Sequence, residues 1–339
     1  MTEPVKWGIL STAGIGLNRV IPAMKAVPIC NVLAIASRQE EAARAAADRL
    51  GIERAYGSYD ALLADPEIEA VYIPLPNHLH VEWCAKALEA GKHVLCEKPL
   101  ALTADDITPL LAVRDRTGKL IEEAFAIRNH PQWVAMRDSV ASGEIGEIRY
   151  VQTTLAYNNM NPKDIRNQAG IGGGGLYDLG SYAITGSRFV FGEEPTRVVG
   201  LLDRDENFQT DRLTSAILQF PKGQAVFTVS TQAGPSIGGT HQHFSVVGNK
   251  GWIRAEFPYS HAIPAQCHLY IGDDRSVGTK HVREIPFPAV NQYGLQGERF
   301  SRLVRGEDVP QFPLEDAIAN MRVIDALFRS SERGGWETV

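Results

Sequence analysis

Val5-Lys6-Trp7-Gly8-Ile9-Leu10-Ser11-Thr12-Ala13-Gly14-Ile15-Gly16 decides the fold. An apolar run of six residues reads as a buried strand, a loop of small residues follows, and the pattern of Ile15–Ala26 predicts a helix. A strand that empties through a tight small-residue loop into a helix has the form in which a nucleotide-binding βαβ unit opens. The first amides of the helix and its dipole can then hold a phosphate. A G-x-G-x-x-G arrangement would place glycines at positions 11, 13 and 16, where this chain has Ser11, Ala13 and Gly16. Small side chains still allow close backbone approach, and the same loop without a ligand would be a plain strand–helix turn.

Outward from that stretch, short apolar runs alternate with helical patterns as far as residue 124. Strands are predicted over Val32–Ala36, Ala70–Ile73, His93–Cys96 and Leu120–Ala124, with helices over Glu40–Leu50, Tyr59–Ala64, His78–Ala90 and Thr103–Arg116. Thr103 is a suitable N-cap with Asp105 and Asp106 in its first turn. The alternation predicts a doubly wound parallel sheet.

After residue 125 the texture changes. Strand-like runs at Arg149–Ala156, Thr196–Leu202, Thr214–Phe220, Ala225–Ala233, His243–Gly248, Gly251–Phe257 and Gln266–Ile271 are joined by turns such as Pro221-Lys222-Gly223. They predict an open, mainly antiparallel sheet. A helix begins near Gly175, and a last one, Leu314–Glu332, carries one apolar stripe and could dock on either domain. The expected organisation is a dinucleotide-binding domain over 1–124 and a substrate-binding and oligomerisation domain over 125–339.

The 339 residues, 44% hydrophobic and 22% charged, suit a globular protein of about two domains. A net charge of −6 and no Lys/Arg block argue against a nucleic-acid partner. No apolar run approaches a membrane span of about 20 residues. Met-Thr-Glu-Pro followed at once by a strand does not resemble an export signal, and Cys30, Cys84, Cys96 and Cys267 have no C-x-x-C spacing. The expectation is a cytoplasmic protein with reduced thiols.

Four segments carry the chemistry. The second strand ends in Ser37-Arg38, where an Asp or Glu would select NAD. A hydroxyl and a guanidinium suit a 2′-phosphate instead, which favours NADP, although Arg38 could equally be a solvated residue. Leu75-Pro76-Asn77-His78-Leu79-His80 follows the next strand, with Asn77 as the expected N-cap facing the nicotinamide edge. The His78/His80 pair lacks a third ligand of matching spacing, so no metal is expected; the same holds for His241 and His243. Glu97-Lys98-Pro99 ends a buried strand, where open parallel sheets bind ligands, so Lys98 reads as a positioned ammonium group. Proline restricts Lys98 to extended backbone. A surface lysine at a strand end is the bland alternative. Finally, Gly172-Gly173-Gly174-Gly175 leads to Asp178 and Tyr182, spaced i, i+4 and hence on one helix face. They are either an acid/base pair or a polar helix face. Arg128, at the junction of the two halves, orients substrate or makes a hinge salt bridge.

Together these segments resemble the Gfo/Idh/MocA oxidoreductases, and the resemblance covers nearly the whole chain. Its most specific elements are Glu97-Lys98-Pro99 and the glycine run before Asp178-x-x-x-Tyr182. Many members have histidine where this chain has Tyr182; tyrosine is similar to the glucose–fructose oxidoreductase, aldose dehydrogenase and dimeric dihydrodiol dehydrogenase branch. The resemblance implies a Rossmann domain, a second α/β domain whose sheet forms a homodimer or homotetramer interface, and catalysis by Lys98, Tyr182 and Asp178. It implies NADP contacts from Ser11, Thr12, Ala13, Gly14, Ile15, Ser37, Arg38, Leu75, Pro76, Asn77, His80, Glu97, Lys98 and Arg128. Arg166 matches an arginine that lies near the cofactor in this branch, with Ile165 where a tryptophan is usual. The activity implied is NADP-dependent oxidation of an aldopyranose at C1 to the lactone. Reduction of a keto- or anhydro-sugar, and glycoside cleavage through transient oxidation by a retained nicotinamide, are the alternatives.

Overall fold

The structure, a computed structural model, describes residues 3–234, 239–259, 266–277 and 280–339; the side chains of Asp274 and Val277 lie outside the description. The chain forms two compact units, Met1–Ala126 with Asn291–Ile318, and Ile127–Val290 with Ala319–Val339.

The first unit is built on a six-stranded sheet: β1 (Val5–Leu10), β2 (Cys30–Ala36), β3 (Arg54–Tyr56), β4 (Ala70–Ile73), β5 (His93–Cys96) and β6 (Ile121–Glu123). Its order is β3-β2-β1-β4-β5-β6, and every pairing is parallel. This is the Rossmann arrangement, with the strand order reversing between β1 and β4. The strands are apolar runs because both faces are covered: all four residues of β4 are fully buried. The edge strand β3 is only three residues long and carries no sequence signal of its own.

Helix Gln292–Val304 and the segment that follows pack in this unit, although they lie in the range expected for the second domain. Trp7 explains why. Its ring is fully buried 5.5 Å from Phe300, and its Nε1 donates to Ser301 Oγ at 3.0 Å. Arg305 makes a two-pronged ion pair with Glu69 at 2.6 and 2.8 Å. Arg299 pairs with the fully buried Glu122, which also accepts the Phe312 amide at 3.0 Å. An uncompensated Glu122 would be costly there, so this pair locks the returning segment to β6.

Three sequence expectations change. Thr103 caps its helix in a full capping box with Asp106, but the predicted helix Thr103–Arg116 is two, Ala104–Ile107 and Pro109–Thr117, because Pro109 has no N–H to continue the ladder. Asn77 is not an N-cap. Pro76 stands at the cap position of a short turn, Asn77–Leu79, and helix His80–Glu89 follows. The predicted helix Ile15–Ala26 opens with a widened π turn, Gly16–Val20, before Ile21–Lys25.

The second unit is a nine-stranded sheet: β7 (Ile148–Ala156), β8 (Arg197–Arg204), β9 (Asp211–Phe220), β10 (Gly223–Ser230), β11 (His241–Gly248), β12 (Gly251–Ala255), β13 (Cys267–Val277), β14 (Lys280–Phe287) and β15 (Glu337–Thr338). The order is β14-β13-β12-β11-β7-β10-β9-β8-β15, antiparallel except between β7 and β10. Along β10, Ala225, Phe227 and Val229 are buried while Gln224, Val226 and Thr228 are exposed. The buried face is covered by helices: the Trp133 ring of Pro131–Ala141 lies 4.7 Å from that of Phe244, tilted by 59°, and Ser330 of Leu314–Arg333 accepts the Gly200 amide at 3.0 Å. The other face carries exposed Leu201, Tyr150, Leu213 and Val226. The four cysteines are buried and free. No helix among the described residues is long and apolar enough to cross a membrane.

Candidate active site

The parallel sheet brings the ends of β1, β2, β4 and β5 to one edge. Ser11 to Ile15 form the loop after β1. Ser11 Oγ accepts the Ala13 amide at 3.0 Å and so shapes the turn. A Cβ added to Gly14 would meet only Asn18 Nδ2, at 3.7 Å, so the loop leaves room for a ligand against its backbone. Thr12 lies between these two positions.

At the end of β2, Ser37 is buried and accepts the Gln39 amide at 3.3 Å, while Arg38 is exposed. Tyr59, a residue for which the sequence offers no functional signal, joins them. Ser58 caps its helix, and the Tyr59 hydroxyl faces both Ser11 and Arg38. Burial raises its pKa, and the Arg38 charge and the Ser11 hydroxyl oppose that rise. The loop, two hydroxyls, a phenol and an exposed guanidinium form a polar cluster that fits a phosphorylated ribose next to a pyrophosphate.

Lys98 is held by its neighbours. Glu97 turns inward, where Oε1 accepts the Tyr72 hydroxyl at 2.5 Å and Oε2 accepts the Lys98 amide at 3.3 Å. Burial and the Glu97 charge drive the Tyr72 pKa well up, so the phenol stays protonated and donates. The Lys98–Pro99 bond is cis. Beyond it, the Leu100 amide donates to the buried Glu123 at 2.8 Å. His80 is fully buried between two backbone carbonyls, Pro99 O at 2.8 Å from Nδ1 and Leu75 O at 2.7 Å from Nε2. Those carbonyls favour the protonated ring, but burial outweighs them and lowers its pKa to about 4. The His80 ring therefore ties the Leu75–Pro76–Asn77 loop to the Lys98 turn. Exposed His78 points to no shared ligand, and among the described residues no three His, Cys, Asp or Glu side chains cluster as a metal site.

In the second unit the glycine run leads into a π turn, Leu176–Gly180, continuous with helix Ser181–Phe191. Asp178 Oδ2 accepts from the Tyr157 hydroxyl at 2.6 Å and from Arg166 Nε at 3.0 Å. The Asp178 charge raises the pKa of Arg166, and burial followed by that same charge raises the pKa of Tyr157. Arg166 thus meets Asp178, which the spacing of the two does not reveal. Tyr182, one turn further along in helix Ser181–Phe191, lies edge-on to Tyr259 at 6.0 Å. Arg128 is buried in the turn Ala126–Asn129, where the chain enters this unit. The site residues thus form two groups: Ser11 to Ile15, Ser37, Arg38, Leu75 to Asn77, His80, Glu97 and Lys98 in the first unit, and Arg128, Arg166, Asp178 and Tyr182 in the second.

A Rossmann sheet with a small-residue loop after its first strand, followed in the chain by an open, mainly antiparallel sheet, is an architecture that nicotinamide-dependent oxidoreductases use. Residues 5–125 match the oxidoreductase family with an NAD-binding Rossmann fold, and residues 133–254 match the GFO/IDH/MocA C-terminal domain. The chain belongs to the Gfo/Idh/MocA oxidoreductase family. It is 48% identical to an uncharacterized oxidoreductase of Rhizobium meliloti, over 99% of each chain. It is 36% identical to D-xylose 1-dehydrogenase (NADP(+)) 2 of Haloferax volcanii, over 97% of this chain and 98% of that one. Among solved structures, a 3-ketoreductase from Actinomadura kijaniata in complex with NADP and TDP-benzene superposes with a TM-score of 0.87 at 30% identity, covering 97% and 98% of the two chains.

Proposed function

We propose that this chain is an NADP-dependent sugar oxidoreductase that oxidises an aldopyranose of the xylose or glucose type at C1 to the lactone. The observation that carries the reading is the similarity to D-xylose 1-dehydrogenase (NADP(+)) over nearly the full length of both chains. NADP is held at Ser11–Ile15 and at Ser37, Arg38 and Tyr59, with Leu75, Pro76, Asn77, Glu97, Arg128 and Arg166 as further contacts; His80 contributes by holding the loop. When bound, NADP supplies a hydride acceptor at the nicotinamide ring. The residues of the chain handle the proton and the developing charge. In this reading Tyr182 acts as a tyrosinate favoured by the Lys98 ammonium and takes the hydroxyl proton, Lys98 also stabilises the developing alkoxide, and Asp178, set by Arg166 and Tyr157, orients the sugar.

A second reading is reduction of a keto-sugar, favoured by the structural match to the 3-ketoreductase, for which variants at a lysine and at a tyrosine have also been solved. The test is a screen of sugars and polyols with NADP and NAD in both directions, followed at the reduced-nicotinamide absorbance. Turnover of aldoses with NADP is expected; a tenfold or larger preference for NAD (about 1.4 kcal/mol) overturns the cofactor assignment. The open face of the second sheet, with Leu201 75% exposed beside Val226 and Tyr150, is proposed as the interface of a homodimer or homotetramer.

A further inference from the structure

We propose that Asp211 is a positioning residue for the Asp178–Tyr182 pair, fixing the amino end of the helix on which both ride. The proposal rests on the reading of that pair as the proton-handling groups.

Asp211 begins β9, 33 residues beyond Asp178, and its side chain is almost wholly buried. Its Oδ2 accepts the Leu176 amide at 2.6 Å, the first amide of the π turn, and the Thr214 hydroxyl at 2.6 Å. Leu176 and Asp178 belong to one turn, and Tyr182 follows one turn later, so a carboxylate at Leu176 sets the rotation and depth of both side chains. Two glycines make the approach possible. A Cβ at Gly174 would stand 2.0 Å from Asp211 Oδ1, and Gly174 has φ +120°, a conformation open to glycine. A Cβ at Gly173 would stand 2.7 Å from the carbonyls of Arg166 and Gln168. The glycine run is therefore clamped between the loop that carries Arg166 and the Asp211 carboxylate. A negative charge at a helix amino end is also favourable.

Burial pushes the Asp211 carboxyl up to about 6, against the pull of Thr214 and the Leu176 amide. The other charged or titratable groups facing it are Arg204 on β8 and Tyr177 on the π turn; with Ala169, Gly173 and Phe328 they line a cleft of about 210 Å³ that Asp211 borders. The next residue, Arg212, is engaged by Asp203 at 2.9 Å.

The test uses the full chain with NADP and with 3-fluorotyrosine at position 182. Asp211→Ala is expected to lower kcat roughly 30- to 100-fold, as small misplacements of reacting groups do. It should leave the NADP Kd within about twofold, because the Rossmann contacts belong to the other unit and make no use of Asp211, and it should move the Tyr182 fluorine resonance. Asp211→Asn keeps one oxygen for both donors and is expected to restore kcat to within about fivefold and to return the resonance. A kcat within about twofold of wild type for Asp211→Ala, or an unmoved resonance, overturns the proposal. If Asp211→Ala does not fold, Thr214→Val decides: the resonance moves if Asp211 positions the helix, and an unmoved resonance overturns it. A wild-type chain inactive on every sugar refutes the functional reading alone, and the fluorine signal still decides the role of Asp211.

Discussion

His80 Nδ1 lies 2.8 Å from the carbonyl oxygen of Pro99, the residue after Lys98. The ring of His80 is thereby packed against the turn that carries the ammonium group, and its other nitrogen lies 2.7 Å from the carbonyl oxygen of Leu75. The neutral ring has a single N–H, so His80→Ala takes the donor from one of these two buried carbonyls, at about 1–3 kcal/mol. We expect a clearly lower Tm and a loss of kcat larger than the loss of NADP affinity. Unchanged kcat in a folded His80→Ala protein would show that the Lys98 turn holds itself.

The same ring gives a pH dependence. Its folded pKa, about 4, is below the ordinary 6.5, so the unfolded chain binds the proton more readily. Stability from the neutral ring is complete above pH 6.5 and is lost as pH falls towards 4, on the order of 3 kcal/mol. His93, also lowered to about 4 by burial, acts in the same direction. Denaturant titrations at pH 7 and pH 4.5 check this; His80→Ala should flatten the difference.

Lys98→Met and Tyr182→Phe are each expected to lower kcat by about 100-fold or more while NADP still binds, as measured by fluorescence titration. Normal kcat in both variants would refute the assigned roles.

Tyr59→Phe removes the hydroxyl between Ser11 and Arg38 without emptying the site. The KM for NADP should rise about three- to tenfold, the worth of one ordinary hydrogen bond, with NAD little affected. Arg38→Ala should cost more and narrow the NADP/NAD ratio. Equal effects on the two cofactors would remove Arg38 and Tyr59 from the 2′-phosphate assignment.

Val226→Arg places a charge on the open face of the second sheet, where Val226 is 39% exposed and opposite Ile217. Light scattering is expected to report a smaller species than for the unaltered chain. An unchanged mass would move the interface elsewhere.

Much of this was legible in the chain itself. The bounds of β1, β4 and β5 follow from apolar runs that begin and end with their own residues. The capping box at Thr103 is a four-residue signal, and the start of the helix near Gly175 follows from the glycine run. Other elements were not legible because their stability is borrowed. β3 is three half-buried residues that exist by pairing with β2, and β15 is two residues paired to β8. Asn77 has the side chain of a cap, yet Pro76, with its fixed φ, takes the cap position.

Hydrophobic period and short motifs were sufficient for most strands of the two sheets and for the strand–loop–helix opening at Val5–Gly16, because each depends on residues within a few positions of one another. The long-range partners of the chain's buried residues are set by folding. Trp7 meets Ser301 across 294 positions, His80 meets Pro99 across 19, and Leu176 meets Asp211 across 35. Such pairs carry no local pattern: they form because burying an aromatic ring, a histidine or a carboxylate demands a partner, and only the packed chain brings that partner within reach.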